Sequence, residues 1–231
     1  MWASSSNCTA QSGPVSASDR STFAHVGPGR TTLVYSTARD AGAKAMFLFA
    51  ADPATPAPRD RAEQQRLLAE AYAGEGWEVP RLIEGMAGAP DFYFDSLSQV
   101  HMDRWSKGRV ALLGDAAHCA SAASGQGTSL ALVGAYVLAG ELARPDGDHE
   151  TGFAAYERLM RPFAERNQRL GPANVKRMVM RGRAQVRISM AMLALMARLP
   201  GRDRLMAKVI EPIHKAATAI TLDDYSAPYA G

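Results

Sequence analysis

The sequence predicts a mixed chain of the α+β and α/β classes, in which an antiparallel sheet portion precedes a strand-turn-helix unit of the α/β kind and a helical tail. Three observations predict it. Two runs of branched and aromatic residues, 31–35 and 45–50, flank the turn-prone stretch Arg39-Asp40-Ala41-Gly42-Ala43, as in a β-hairpin. Val110 to Leu113 is apolar without alternation, the mark of a parallel strand covered on both faces. From Thr151 to His214 the apolar spacing is helical, with expected breaks at Pro162, Gly171-Pro172 and Pro200-Gly201.

In chain order, residues 1–20 are rich in Ser and read as a flexible arm. Residues 21–107 read as part of a sheet domain. Within it, Gly27-Pro28-Gly29-Arg30 is a turn, Arg61 to Tyr72 has Leu67, Leu68 and Tyr72 at helical spacing, and Trp77 to Met86 forms a second short helix before Pro90. Phe92 to Met102 alternates as one long strand, on which Gln99 and His101 are candidate pocket residues or exposed edge positions. Residues 108–145 hold the apolar strand and the apolar helix from Thr128 to Ala143, and 146–231 form the helical tail. In that tail Val175, Met178, Val179, Val186, Met190, Leu193 and Met196 fall on one stripe, read as core or subunit contact.

At 231 residues, 47% apolar and 21% charged, the chain is of globular composition. Residues 1–145 carry 12 Lys and Arg against 14 Asp and Glu, and residues 146–231 carry 14 against 9. The basic tail has no aromatic between Arg169 and Lys208 and no nucleic-acid module, so nucleic acid is not the expected partner. The longest apolar stretch, Ile188 to Leu199, is too short to span a bilayer, so no membrane is expected either. Cys8 and Cys119 have no disulfide-framework or metal-ligand spacing, and the first residues lack a basic leader with an apolar core. The expectation is a cytoplasmic protein without a metal. No Gly-x-Ser-x-Gly elbow and no P-loop occur, which removes hydrolase and nucleoside triphosphatase readings.

The chemistry concentrates in Gly108-Arg109-Val110-Ala111-Leu112-Leu113-Gly114-Asp115-Ala116-Ala117-His118, followed by Ser124-Gly125-Gln126-Gly127-Thr128-Ser129. A buried parallel strand delivers Asp115 to the carboxyl edge of its sheet, where ligands bind in open α/β folds. Asp115 there accepts hydrogen bonds from sugar-like hydroxyls, and Gly114 lets a ligand approach the backbone. Gly125, Gln126, Gly127, Thr128 and Ser129 open an apolar helix whose free N–H groups suit phosphate, carboxylate or a reduced flavin ring. The plainer reading makes Thr128 an N-cap. His118 is read as a packing or hydrogen-bonding residue and Trp105 as packing at the domain junction, and no catalytic residue is assigned.

The two motifs together resemble the flavin-contacting segment of the class A flavoprotein monooxygenases, the family of para-hydroxybenzoate hydroxylase and the tetracycline-inactivating monooxygenases. The resemblance implies an incomplete FAD-binding Rossmann-like domain, an antiparallel-sheet substrate domain and a helical C-terminal tail. It implies that Asp115 holds the ribityl chain of FAD, that Gly127, Thr128 and Ser129 offer N–H groups to the N1/O2 edge of the flavin, and that NAD(P)H is a transient reductant. The implied substrate is a small aromatic or polyketide-like molecule, hydroxylated with oxygen.

Three departures accompany it. The loop Cys119-Ala120-Ser121-Ala122-Ala123-Ser124 lacks the prolines usual after the family's His, Ser129 stands where Asn is frequent, and neither the early Gly-x-Gly-x-x-Gly nor the later Asp-Gly motif occurs. The expectation is a chain that is not self-sufficient in FAD binding. Two charge-assisted backbone bonds of about 1.5–3 kcal/mol each stand against an association cost of about 4–15 kcal/mol. A second chain is then expected to supply the missing half. The alternative is a non-catalytic flavoprotein fragment that needs such a partner or only binds a hydrophobic small molecule.

Overall fold

The computed structural model describes residues 2–6, 22–36, 43–52, 57–144, 148–199 and 202–225. The chain divides into two compact units, one of residues 1–97 and 176–195, the other of residues 98–175 and 196–231. The sheet unit therefore ends at Leu97 rather than at 107, and it takes in a helical stretch expected in the tail.

The first unit is a five-stranded antiparallel sheet covered by two helices. Strands β1 (Trp2–Ser6), β2 (Thr22–Gly27), β3 (Arg30–Ser36), β4 (Ala43–Phe49) and β5 (Tyr93–Ser96) lie in the order β2-β3-β4-β1-β5. The expected hairpin is β3-β4, paired from Arg30↔Phe49 to Ser36↔Ala43. Pro28 and Gly29 close β2 onto β3, and Gly29 takes the positive φ of 77° that a turn of this kind asks of its third residue. Residues 2–6 of the expected arm form the inner strand β1, between β4 and β5; the rest of that arm, Cys8 included, lies outside the described residues.

Helix α1 (Arg61–Ala71) starts at Asp60, whose carboxylate accepts the Glu63 N–H at 2.9 Å, and α2 (Val79–Met86) has Pro80 in its first turn. Their apolar faces place Leu68, Tyr72, Val79, Leu82 and Met86 on Val34, Ala45, Phe47, Phe49 and Phe94 of the sheet. Tyr72 is buried there. Its hydroxyl bonds the carbonyls of Thr31 and Leu48, each at 2.8 Å, which closes α1 onto β3 and β4.

The expected long strand 92–102 is only four residues. After Ser96 the backbone leaves the sheet, and Val100 N–H bonds the Cys119 carbonyl at 3.1 Å in the second unit. That unit contains β6 (Ser106–Lys107), β7 (Val110–Ala111), α3 (Asp115–His118), a 3₁₀ turn at Ala122–Ser124 and α4 (Gly127–Leu142). It also holds most of α5 (His149–Met178), whose last residues, 176–178, fall in the first unit, and the whole of α7 (Arg202–Ala217). Its core is Trp105, Ala117, Leu130, Val137, Tyr156, Met160 and Phe163.

Three expectations are corrected here. The apolar run Val110 to Leu113 is not a covered parallel strand: β7 is two residues long, its only pairing among the described residues is antiparallel to β6, and Val110 is 65% exposed. Helix α5 runs unbroken through Pro162 and Pro172. Proline lacks the N–H that would serve the carbonyl four residues back, so Pro172 frees the carbonyl of Gln168. The Gln99 side chain takes that place, donating Nε2–H to Gln168 O at 2.6 Å. The helical break falls instead at 179–182, where Val179 and Met180 are buried, Gly29 N–H bonds the Met180 carbonyl at 2.7 Å, and the Thr31 hydroxyl bonds the Met178 carbonyl. Beyond it α6 (Arg183–Arg198) buries no side chain, so the stripe read as core is not core in that helix.

Candidate cofactor site

The β6-β7 hairpin and α4 bring the two motifs together. After β7 the Leu112 N–H bonds the Trp105 carbonyl at 2.8 Å, extending the hairpin toward Gly114. Gly114 turns the chain with φ 62° and ψ −136°, a conformation that L side chains avoid, and a Cβ there would stand 3.4 Å from Ala131 Cβ on α4. Its carbonyl receives the N–H groups of Ala117 and His118 at 3.0 and 2.9 Å, so Asp115 begins a single tight turn with its side chain exposed.

The start of α4 lies directly opposite. Gln126 is its first flanking residue, with no side-chain cap, so Thr128 is an exposed residue of the first turn and not the N-cap. The N–H groups of Gly127, Thr128 and Ser129 therefore have no partner within the helix. A Cβ built on Gly127 would lie 3.8 Å from Asp115 Oδ1. Glycine at that position leaves the space between carboxylate and helix start open. Gln126 is buried and its Oε1 has no hydrogen-bond partner, an orphan acceptor at the mouth of the same helix.

The loop between α3 and α4 is held from three sides. Ser121, at φ 72°, accepts the Ala123 N–H at 3.3 Å on its hydroxyl and the Ser124 hydroxyl at 2.8 Å on its carbonyl. Gln126 N–H bonds Ser124 Oγ at 3.1 Å, and Gly125 closes the 3₁₀ turn with a left-handed φ of 67°. From outside, Gln99 bonds Ala120 O at 3.2 Å, Gln168 bonds Cys119 O at 3.4 Å, and Asn174 bonds Ala123 O at 2.9 Å. Gln99 is thus a pinning residue of this loop, while His101 is exposed with its Nε2 3.1 Å from Gln99 Oε1. Side-chain amides on α5 and at 99 supply the rigidity that the missing prolines would have given. Only the amide-rich pattern Gln99, Gln168, Asn174 could have signalled this in the sequence, and its spacing carries no meaning without the fold.

His118 faces inward. It is 1% exposed, its ring is 4.7 Å from Trp105, and its Nε2–H reaches the Tyr156 hydroxyl at 3.3 Å, whose own proton bonds the Leu112 carbonyl at 3.3 Å. This chain ties the end of β7 to α5. Trp105, 3% exposed, belongs to the same core, with the Arg161 guanidinium 4.7 Å above its ring. Burial pushes the His118 pKa below its ordinary value of 6.5, against a smaller opposite pull from Asp115. A histidine held neutral in the folded chain takes up its proton on unfolding, so stability is complete above pH 6.5 and is lost as pH falls below it. We expect the second unit to lose stability as pH falls below 6.5, down to the pH at which His118 is protonated in the folded chain as well, and His118→Gln to flatten that slope in urea titrations followed by hydrogen exchange; an unchanged slope would contradict the assignment.

Comparison with known proteins finds similarity over the same segment of the chain. The family model described as FAD binding domain matches residues 94–170, which include both motifs. A flavin-dependent monooxygenase from an unknown prokaryotic organism is 46% identical over 129 residues, 56% of this chain and 33% of that protein. An uncharacterised protein of Mycobacterium tuberculosis is 46% identical over 151 residues, 65% of this chain and 41% of its own length. The crystal structure of the tetracycline destructase Tet(51) superposes with a TM-score of 0.75 at 30% identity, covering 97% of this chain and 54% of that one. The chain thus spans between a third and about two fifths of the length of these curated relatives. The chain is similar to FAD-dependent monooxygenases, and residues 94–170 match the model of an FAD binding domain.

Proposed function

We propose that this chain holds the isoalloxazine and ribityl parts of FAD in a monooxygenase that hydroxylates a small aromatic or polyketide-like substrate with NAD(P)H and oxygen. The observation that carries the reading is the convergence of one carboxylate and one uncapped helix start, with Asp115 Oδ1 3.8 Å from a Cβ position on Gly127. The donor set fits the group. Asp115 would accept from ribityl hydroxyls, and the N–H groups of Gly127, Thr128 and Ser129 would donate to the electron-rich N1/O2 edge of the flavin. Gly114 and Gly125 keep the approach free of side chains. The redox chemistry is what FAD supplies when bound; this chain's own part is orientation and the fixed dipole of α4, which favours negative charge at its start.

Further polypeptide, on the same chain or a second one, completes the site. Supporting this, Val110 belongs to an apolar run yet is 65% exposed, and β7 borders a groove of about 1160 Å³ that Leu112 and Phe153 also line. Among the described residues no helix is long and apolar enough to cross a membrane.

A chain holding only the ring and ribityl half would bind FAD and FMN alike, because the adenylyl group that distinguishes them would meet none of these residues. Titration with each, followed by quenching of flavin fluorescence, is expected to give dissociation constants within about threefold of each other and weaker than micromolar, a net free energy below about 8 kcal/mol. Absence of binding at millimolar flavin would overturn the site. FAD held more than tenfold tighter than FMN would relocate it.

A further inference from the structure

We infer that α6 is the docking surface for an acidic amphipathic helix of a partner polypeptide. Within the first unit, residues 183–195 of α6 bury no side chain. Ala184, Ile188, Ala191 and Leu195 recur at alternating spacings of four and three and so share one stripe. Ile188 is 65% exposed, and Met192 and Leu195 beside it are 59% exposed. Scattered apolar residues need no explanation on a surface, but a continuous helical stripe of them does.

Two features choose the occupant. The first is relief: Ala184, Arg187, Ile188 and Ala191 line a shallow depression of about 380 Å³, made by the two small alanines between larger neighbours. That is a hole for the aliphatic side chain of another helix, the packing by which helices recognise one another. The second is charge. Residues 176–195 contain Lys176, Arg177, Arg181, Arg183 and Arg187 and no acid, and on the helix Arg183 and Arg187 run along one border of the stripe. A second copy of this chain would oppose cation to cation. A lipid surface would match the charge, but α6 has no aromatic and presents alanines where interfacial helices insert bulk. A helix with leucines on one face and glutamates flanking them satisfies both the hole and the arginines.

The probe is a three-heptad synthetic peptide with Leu at the a and d positions and Glu at e and g, fluorescently labelled and titrated with this chain. Saturable binding is expected. The double variant Arg183→Glu with Arg187→Glu should weaken it about tenfold or more, Ile188→Asp should abolish it, and a Lys-for-Glu peptide should bind the double variant better than the unaltered chain. All three substitutions fall on exposed positions that are not among the flavin-site residues, so flavin binding serves as the control for folding. Failure of the peptide to bind overturns the inference, as does equal binding by the charge-reversed variant. Sedimentation of the chain with phosphatidylserine vesicles without peptide binding would assign the face to membranes instead, and concentration-dependent dimers lost in Ile188→Asp would assign it to a second copy.

Discussion

Asp115→Ala is expected to weaken flavin affinity by about tenfold to a hundredfold while leaving the second unit folded. A hydrogen bond to a charged group contributes about 1.5–3 kcal/mol, which sets that range. The side chain is exposed, and no hydrogen bond of the described fold depends on it, so its removal should leave stability nearly unchanged. Asp115→Asn is the decisive companion. It keeps an acceptor oxygen at the same reach but removes the charge, so affinity should fall by a smaller factor than in the alanine variant. Isothermal titration with FMN reads both. Equal affinities in all three proteins would leave the convergence of Asp115 and Gly127 without a role, and an Asn variant as weak as Ala would mean that charge, not acceptance from a ribityl hydroxyl, is what the site uses.

The residues that meet at this site were legible because each carries a local signal. Glycine at 114 and 125 stands where φ is positive, and glycine at 127 opens a helix, so sequence position and backbone conformation coincide. The β3-β4 hairpin and helices α1 and α2 were legible for the same reason: alternation, helical spacing and caps act over a few residues. What was not legible depends on distant chain. Val110 to Leu113 has the composition of a covered strand, but composition does not record which strand it pairs with, here β6 alone among the described residues. Likewise Pro172 signals a helix end when only α5 is considered. That signal fails because Gln99, far away in sequence, serves the carbonyl that proline leaves free. The run 92–102 alternates throughout, yet its second half is drawn off the sheet by the Cys119 loop, a competition that spacing cannot reveal.

Gly171→Val is expected to cost the second unit at least about 3 kcal/mol. A Cβ at 171 would stand 2.8 Å from Gln99 Nε2 and 3.0 Å from the Ala120 carbonyl. The first neighbour is a side-chain tip and could move, but the second is backbone and is tied into the loop. Moving Gln99 breaks its bonds to Ala120 O and Gln168 O, leaving two carbonyls without donors, each a loss of about 1–3 kcal/mol when buried. Overpacking adds about 1–3 kcal/mol. Amides of residues 119–125 should therefore lose hydrogen-exchange protection before those of α4 do. Gln99→Ala alone should reproduce the broken bonds without the clash and cost about 1–3 kcal/mol less, so the difference between the two variants isolates the backbone contact. Equal costs would place the whole effect in the amide bonds, and a cost below about 1 kcal/mol for valine would mean that α5 and the loop are not in register as described. Because this loop carries Gly125 and Gln126 into the start of α4, its loosening should also weaken FMN binding, although residue 171 itself lies outside the flavin site.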